Sequence, residues 1–276
     1  MRTLYVTDLD GTLLRNNETT SDFTNQTINE LVQKGMLFSY ATARSYSTSA
    51  KVTRGLSAKI PLIVYNGGFI IDNASGEILL SNFFGAEIET ILDDLISNGV
   101  YPIVYAFVDG VEKFSYLTEK CTQGIRDFVA TRKGDRRERA VSTVEELRRG
   151  EIFYLSCIGQ ASQLEPFFYK YRDVCHALYQ RDIYSGEQWL EFMPAAASKS
   201  NAIRQLKELL RCNRLVVFGD GKNDVDMFEQ ADESYAVANA VDELKAVSTS
   251  VIDSNENDGV AKWLLENAKF GADADE

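Results

Sequence analysis

Two stretches of this chain carry the same alternation of short apolar runs and helix-periodic segments, and residues 84–187 interrupt it. That interrupted alternation constrains the fold more than any other feature of the sequence. From the N-terminus it predicts a strand over 3–7 and a helix over 24–34, with Ile28, Leu31 and Val32 on one face and Gly35 placed to stop it. A strand over 36–41, a helix after Arg44 and a strand over 62–65 complete a β-α-β-α-β series, the pattern of a parallel sheet wrapped by helices. Residues 69–71 and 78–80 flank Asn73-Ala74-Ser75-Gly76 and predict a β-hairpin. The alternation resumes with a strand over 189–192, a helix over 198–211, a strand over 215–218, a helix over 223–230 and a strand over 235–237. Helices near 242–247 and 259–268 follow, and the acidic residues 271–276 are expected to fray.

The interrupting block reads differently. A helix over 87–97 leads into strands over 101–108 and 111–117, a helix over 119–131, a strand over 152–158, a helix over 163–172 and a strand over 177–182. Strand pairs mixed with helices predict an α+β module built on an antiparallel sheet, inserted into the α/β core. A chain of 276 residues with 45% hydrophobic content has material for one large or two modest cores.

Charge and rare residues remove several function classes. A net charge of −12 argues against an extended nucleic-acid or membrane surface, so no nucleic-acid or membrane partner is expected. The one basic run, 132–139, contains Gly134, Asp135 and Glu138 and reads as a polar solvated loop. Cys121, Cys157, Cys175 and Cys212 are widely spaced without a CxxC, which fits reduced thiols and a cytoplasmic location. No signal peptide or membrane span is visible. The single histidine, His176, excludes His-rich metal sites and two-histidine phosphate chemistry; beside Leu178 and Tyr179 it reads as packing.

In open parallel sheets ligands bind beyond the carboxyl ends of the strands. The first strand ends in Asp8-Leu9-Asp10-Gly11-Thr12, the second in Thr42-Ala43-Arg44, the third in Asn66-Gly67-Gly68, and the strand over 215–218 in Gly219-Asp220-Gly221-Lys222-Asn223-Asp224. Each element alone is ordinary: Asp-x-Asp-Gly and Asn-Gly are turns, Thr42 is a helix cap, Lys199 is a solvated helix residue. Delivered together to one edge, the carboxylates would repel unless something positive joined them, at a cost of about 4 kcal/mol per pair at 4 Å near a surface. A hard dication removes that cost, and carboxylate and carbonyl oxygens with waters are what Mg²⁺ prefers. Hydroxyl, lysine, helix N-termini and metal together make a phosphate site.

These motifs resemble the haloacid dehalogenase-like (HAD) hydrolases and, within them, the Cof-type phosphatases with a large type IIB cap. The likeness rests on Asp8-Leu9-Asp10-Gly11-Thr12-Leu13, Thr42-Ala43-Arg44, Asn66-Gly67-Gly68, Lys199 and Gly219-Asp220-Gly221-Lys222-Asn223-Asp224. It extends to Ala238-Asn239-Ala240 and to Ser254-Asn255-Glu256-Asn257-Asp258-Gly259-Val260. The resemblance implies a Rossmann-like parallel-sheet core over 1–83 and 188–276 with an inserted α+β cap over 84–187. It implies Asp8 as nucleophile and Asp10 as general acid/base. Mg²⁺ would be held by the Asp8 side chain, the Asp10 main-chain carbonyl and Asp220, with Asp224 in support. Thr42, Lys199, Asn223 and the main-chain NH groups of Leu9 and Ala43 would contact phosphate, with Arg44, Asn66 and Gly67 at the substrate rim. Where the family often has Thr-Gly-Arg, this chain has Ala43 in place of glycine, a residue that keeps the NH donor but narrows the backbone's freedom.

The expected reaction is hydrolysis of a small phosphorylated metabolite, a sugar phosphate or phosphorylated cofactor, through an aspartyl-phosphate. Asp10 protonates the leaving oxygen and then activates water, and the inserted module closes over the site about hinges near 83–86 and 185–187. A phosphomutase with the same nucleophile and a non-catalytic phosphometabolite-binding regulator are the alternatives. The pair Asp8 and Asp10 speaks against the regulator, because binding alone needs neither a nucleophile nor a proton donor. Arg181, Tyr184 and Trp189 are the candidate cap contacts. Oligomeric state is not legible.

Overall fold

The structure is a computed structural model and describes residues 1–57, 59, 61–181 and 186–270. Tyr184, Ser185 and the 271–276 tail lie outside the described residues. The chain divides into two compact units, Met1–Ser81 with Ser198–Glu276, and Asn82–Ala197.

In the first unit, β1 (Thr3–Thr7) is buried at every position, as a strand covered on both faces must be. Helix α1 (Asp22–Gln33) starts ahead of its expected position because Ser21 caps it, accepting from Thr24 N at 2.9 Å. Strand β2 (Leu37–Tyr40) follows, then α2 (Tyr46–Val52), capped in the same way by Ser45. Strands β3 (Leu62–Val64), β4 (Phe69–Ile71) and β5 (Ile78–Ser81) form a separate three-stranded antiparallel sheet. The hairpin is as expected, and β3 runs parallel to the β2 segment as expected, but among the described residues it is joined to the five-stranded sheet by a single bridge, Ala41 to Ile63, and its ladder partner is β4. Beyond β3, Tyr65, Asn66 and Gly67 all take positive φ, at 52°, 51° and 96°, so the chain reverses at once and β4 takes the free edge of β3.

The inserted unit runs α3 (Glu87–Ser97), β6 (Ile103–Val108), β7 (Val111–Leu117), α4 (Gln123–Ala130), β8 (Glu138–Val141) and α5 (Val144–Leu147). It continues through β9 (Glu151–Gly159), α6 (Ala161–Tyr171), β10 (His176–Arg181) and β11 (Gln188–Met193). Its six-stranded sheet has the order β10-β11-β9-β6-β7-β8 and is antiparallel except for β7 with β8. One face is a continuous apolar core in which Leu155, Leu190 and Phe192 meet Ile91, Leu92 and Leu95 of α3 and Leu164 and Phe167 of α6.

Two expectations are corrected here. Residues 189–192, read as the strand that resumes the core, form β11, which pairs with β9 and β10, so the second core segment begins at Ser198 rather than at 188. A lone apolar run carries no mark of which sheet it joins. The basic run is not simply a solvated loop: Glu138 and Arg139 open β8, and Arg137 is tied to Asp135 at 2.6 Å and Glu112 at 2.8 Å. Both β8 and α5 were missed because each is four residues long, too short for periodicity to register.

Returning to the core, α7 (Lys199–Leu209), β12 (Arg214–Gly219), α8 (Val225–Gln230), β13 (Glu233–Val237), α9 (Asp242–Val247), β14 (Ser250–Ile252) and α10 (Gly259–Asn267) restore the alternation. The five-stranded sheet has the order β14-β13-β12-β1-β2 and is parallel throughout. From β1 the chain moves one way to β2 and later returns on the other side at β12, so strand order reverses between β1 and β12. That reversal opens a crevice at the carboxyl ends of these two strands.

Candidate active site

Asp8 and Asp220 stand at the two lips of that crevice. Asp8 N donates to Phe218 O at 2.9 Å, which sets it beside the end of β12, and Ala41 N donates to Thr7 O at 2.9 Å, which brings Thr42 to the same edge. Beyond Asp8 the chain makes a tight turn over Leu9–Leu13, closed by Leu14 N on Leu9 O at 2.9 Å. Gly11 takes φ 79° there, and a Cβ on it would lie 2.3 Å from Asp220 Oδ2, so the turn can approach β12 this closely only with glycine. Thr12 donates its hydroxyl to Asp220 Oδ1 at 2.9 Å and orients that carboxylate.

Lys199 is the first residue of α7, whose start is capped by Ser198. Gly67 lies against it: a Cβ on Gly67 would sit 2.2 Å from Ser198 O. The residue expected at the substrate rim therefore lets the β3–β4 turn pack on the base of α7. From there Lys199, 3% exposed, reaches Asp8 Oδ1 and, at 2.8 Å, Asp224 Oδ1. Asp224 is fully buried, and its other oxygen accepts from Asp220 N at 3.1 Å and Gly221 N at 3.0 Å. It thus braces the β12 loop and the lysine together, a fuller role than the supporting one expected of it.

Asp8, Asp220 and Asp224 each offer a carboxylate oxygen, and these atoms lie within 4.8 Å of one another. Burial pushes the Asp8 carboxyl well above its usual range; Lys199 opposes this, and Asp224 and Asp220 add to it. Burial, with Asp224 beside it, also pushes Asp220 up to about 6. For Lys199, burial disfavours the charge, but the attraction of Asp224 and Asp8 outweighs it and holds the ammonium above its ordinary value. One lysine against three carboxylates leaves negative charge uncompensated in a buried place, and the all-oxygen donor set is the chemistry a hard dication satisfies.

Asp10 is placed differently. Its carboxylate, half exposed, is outside the acidic cluster and is held by Arg44, with Nε 2.8 Å from Oδ2 and Nη2 2.5 Å from Oδ1. Arg44 Nη2 also meets Glu18 at 3.0 Å. This clamp joins residues far apart in sequence, and nothing in their spacing announces it. Arg44 N donates to Thr42 Oγ1 at 3.1 Å, and Asn66 N to Thr42 O at 2.9 Å, which ties the β2 loop to the β3–β4 turn. Ala43 is exposed and outside the left-handed region, so the backbone accommodates its methyl. Leu9 is buried, Asn223 is exposed in the turn before α8, and the Asn66 side chain is buried without a hydrogen-bond partner among the described residues.

Two asparagines complete the frame. Asn239 Nδ2 donates to Gly11 O at 2.7 Å, and Asn255 reaches Asn239 Oδ1 through its main chain at 3.0 Å and Leu14 O through its side chain at 2.9 Å. Sequence reading singled out both motifs without a role; the structure shows them bracketing the loop after Asp8. Of the candidate cap contacts, Arg181 is exposed on β10 and donates to Gly186 O at 2.8 Å, while Trp189 is half-buried against Phe128, ring centroids 5.8 Å apart.

A family model for haloacid dehalogenase-like hydrolases matches residues 5–264. The chain belongs to that family. As a HAD-like hydrolase it is an enzyme of the phosphatase class. A 5-amino-6-(5-phospho-D-ribitylamino)uracil phosphatase of Bacillus subtilis is 25% identical over 275 residues, covering 95% of this chain and 96% of the relative. Among solved structures, TM0651 from Thermotoga maritima superposes with a TM-score of 0.78 at 26% identity, covering 98% of this chain and 99% of that one. The HAD subclass IIB sugar phosphatase BT4131 shares the fold, with a TM-score of 0.73 at 16% identity over 96% of this chain and 98% of its own. No helix among the described residues of this HAD-like hydrolase is long and apolar enough to cross a membrane.

Proposed function

We propose that this HAD-like hydrolase removes phosphate from a small phosphorylated metabolite by way of Asp8, with Mg²⁺ as cofactor. The observation that carries the reading is the buried junction of Asp8, Lys199 and Asp224 beside Asp220 at the reversal of strand order. Asp8, Asp220 and the Asp10 main-chain carbonyl would hold the ion, with Asp224 behind them. When bound, Mg²⁺ supplies charge neutralisation to the phosphoryl oxygens.

Asp8, fixed by the strand end and the Lys199 contact, attacks phosphorus through a carboxylate oxygen; an O–P bond forms as the bond to the leaving oxygen breaks, giving an aspartyl-phosphate. Asp10 gives its proton to that leaving oxygen, then takes one from the water that attacks the intermediate and releases inorganic phosphate. Its carboxylate lies outside the acidic cluster and half exposed, and for either task it exchanges its Arg44 contacts for the leaving oxygen or the water. Lys199 orients Asp8 and balances charge; Thr42, Asn223 and the NH groups of Leu9 and Ala43 contact the phosphoryl oxygens; Arg44 and Asn66 border the substrate. Four unpaired thiols support a cytoplasmic setting. The Bacillus subtilis relative's substrate, a phosphorylated ribitylamino-uracil, heads the list of metabolites to screen.

The test is hydrolysis of p-nitrophenyl phosphate with Mg²⁺ by the parent chain and by Asp8→Asn. We expect the variant to fold, to keep its melting temperature within a few degrees and to lose turnover by about a thousandfold or more. Turnover near the parent's would remove Asp8 as nucleophile.

A further inference from the structure

Asp10 can exchange a proton with a reacting oxygen only when Arg44 releases it, and the guanidinium then needs another partner. Arg44 is 21% exposed at its side chain and grips Asp10 through two nitrogens, Nε at 2.8 Å and Nη2 at 2.5 Å. A forked pair of this kind is among the stronger ion pairs, so opening it with nothing in exchange would add to the barrier. A second carboxylate is already in place: Arg44 Nη2 meets Glu18 Oε2 at 3.0 Å. No step of the phosphate transfer uses Glu18.

Glu18 is held there by a closed loop over residues 15–19. Glu18 N donates to Arg15 O at 2.9 Å, and Arg15 N donates to Thr19 O at 3.0 Å. Glu18 takes φ 58°, a left-handed backbone that a glutamate keeps only where its surroundings hold it. The hold comes from the segment 254–258, whose side of the molecule the sequence motif marked without a role. Arg15 pairs with Asp258 at 2.7 Å, and Asn16 N donates to Glu256 Oε1 at 2.5 Å. The loop therefore presents Glu18 to Arg44 from an anchored base, while the Glu18 side chain itself, 58% exposed, has room to follow the guanidinium.

We propose that Glu18 is a positioning residue: it takes Arg44 over when Asp10 turns to the leaving oxygen or to the water, and gives it back once the proton has moved. The inference rests on the reading of Asp10 as acid and base. Arg44 keeps a carboxylate throughout, so its partly buried charge is never left unpaired while Asp10 is at work. Without Glu18, Arg44 stays clamped on Asp10.

The test has a structural arm and a kinetic arm, both on the full chain. Asp10→Asn removes the charge at residue 10 and keeps its shape; in a crystal structure of that variant Arg44 should lie on Glu18 through two nitrogens. Arg44 still on residue 10, or turned to solvent, would overturn the proposal whether or not the chain releases phosphate. The kinetic arm compares Glu18→Gln with the parent, with Mg²⁺, on p-nitrophenyl phosphate, whose leaving oxygen needs little protonation, and on phenyl phosphate, whose more basic oxygen needs it. We expect the melting temperature to stay within about two degrees, as for an exposed pair. The value of kcat/KM should fall about tenfold for phenyl phosphate and less than about twofold for p-nitrophenyl phosphate. In an Arg44→Met background, Glu18→Gln should change neither ester by more than about twofold, since the two residues act as one unit. Equal losses with both esters, no loss with either, or a loss that survives in Arg44→Met would each overturn the proposal. Asp10→Asn with the parent's turnover would instead sink the reading of Asp10 as acid and base, and the place of Arg44 in the crystal would still decide whether it passes to Glu18.

Discussion

Each unit of this molecule buries a carboxylate, and the two are treated in opposite ways. In the core, Asp8 is 6% exposed and faces Lys199, Asp224 and Asp220, so an ammonium and three acids share one small space. In the inserted unit, Glu191 on β11 is 8% exposed and meets a neutral partner, the Tyr154 hydroxyl, at 2.8 Å. Burial raises both acids above their usual range. Only in the core is a full cation brought in against the desolvation cost. A fold that merely had to tolerate a buried acid could do so as Glu191 does, by letting it bind a proton. A permanently charged lysine wedged between two acids opposes that protonation and fixes an Asp8 oxygen at a chosen place, and that is how the site differs from ordinary buried polarity.

The contrast breaks most readily at Lys199. Replacing it with methionine keeps the length and removes the only cation that bridges Asp8 and Asp224 among the described residues. Truncating one partner of a buried ion pair costs about 3–5 kcal/mol, because the other charge is left uncompensated. Urea unfolding of Lys199→Met should show a loss of that order, together with lost turnover. Added Mg²⁺ should recover part of the stability, since binding to the folded chain alone stabilises it. A variant as stable as the parent would mean that Lys199 is no more integral than Tyr154 is to Glu191.

The core and its site were largely legible because one rule, that parallel strands deliver their loops to one edge, turns scattered motifs into a cluster. Asp8, Asp220 and Asp224 were found in this way; Lys199 was reached through residues 189–192, read as a core strand but part of the inserted sheet, and through the family resemblance, and the structure brings all four together. What the sequence concealed was pairing. Residues 189–192 give the same apolar run whether they join one sheet or another, and nothing in the run over 62–65 shows that β3 would share one parallel bridge with the core sheet and a full ladder with β4. The clamp of Arg44 on Asp10 and the packing of Gly67 on Ser198 are likewise contacts between distant loops, set by the fold and invisible to local periodicity. Conversely, Gly11 and Gly67 were legible as turns but not as points of close approach.

A smaller effect sharpens the comparison from the other side. Burial raises Glu191 to about 7, partly offset by the Tyr154 hydroxyl, against 4.5 for an exposed glutamate. The folded inserted unit therefore holds a proton that the unfolded chain releases. The stabilisation is complete below about pH 4.5 and is lost as pH rises through about 7, an effect of up to about 3 kcal/mol. Glu191→Gln keeps the hydrogen bond and removes the titration. Its melting temperature should change less between pH 5 and pH 8 than the parent's; identical slopes would show that Glu191 keeps the same charge folded and unfolded.

The finest distinction concerns the frame rather than the charges. Asn239 holds Gly11 O at 2.7 Å and is itself held by Asn255 N at 3.0 Å, so it fixes the turn between Asp8 and Asp220 without belonging to the acidic cluster. Losing one such exposed hydrogen bond costs about 1 kcal/mol of stability. The turn that carries Asp10 would then sample more positions, and misalignment in phosphoryl transfer falls on the transition state rather than on ground-state binding. Asn239→Ala should therefore lower kcat for p-nitrophenyl phosphate by about tenfold and leave KM within about twofold. The reverse pattern, an unchanged kcat with a raised KM, would make Asn239 a substrate contact and place the rigidity of the loop after Asp8 elsewhere, in Thr12 and the close approach of Gly11 to Asp220.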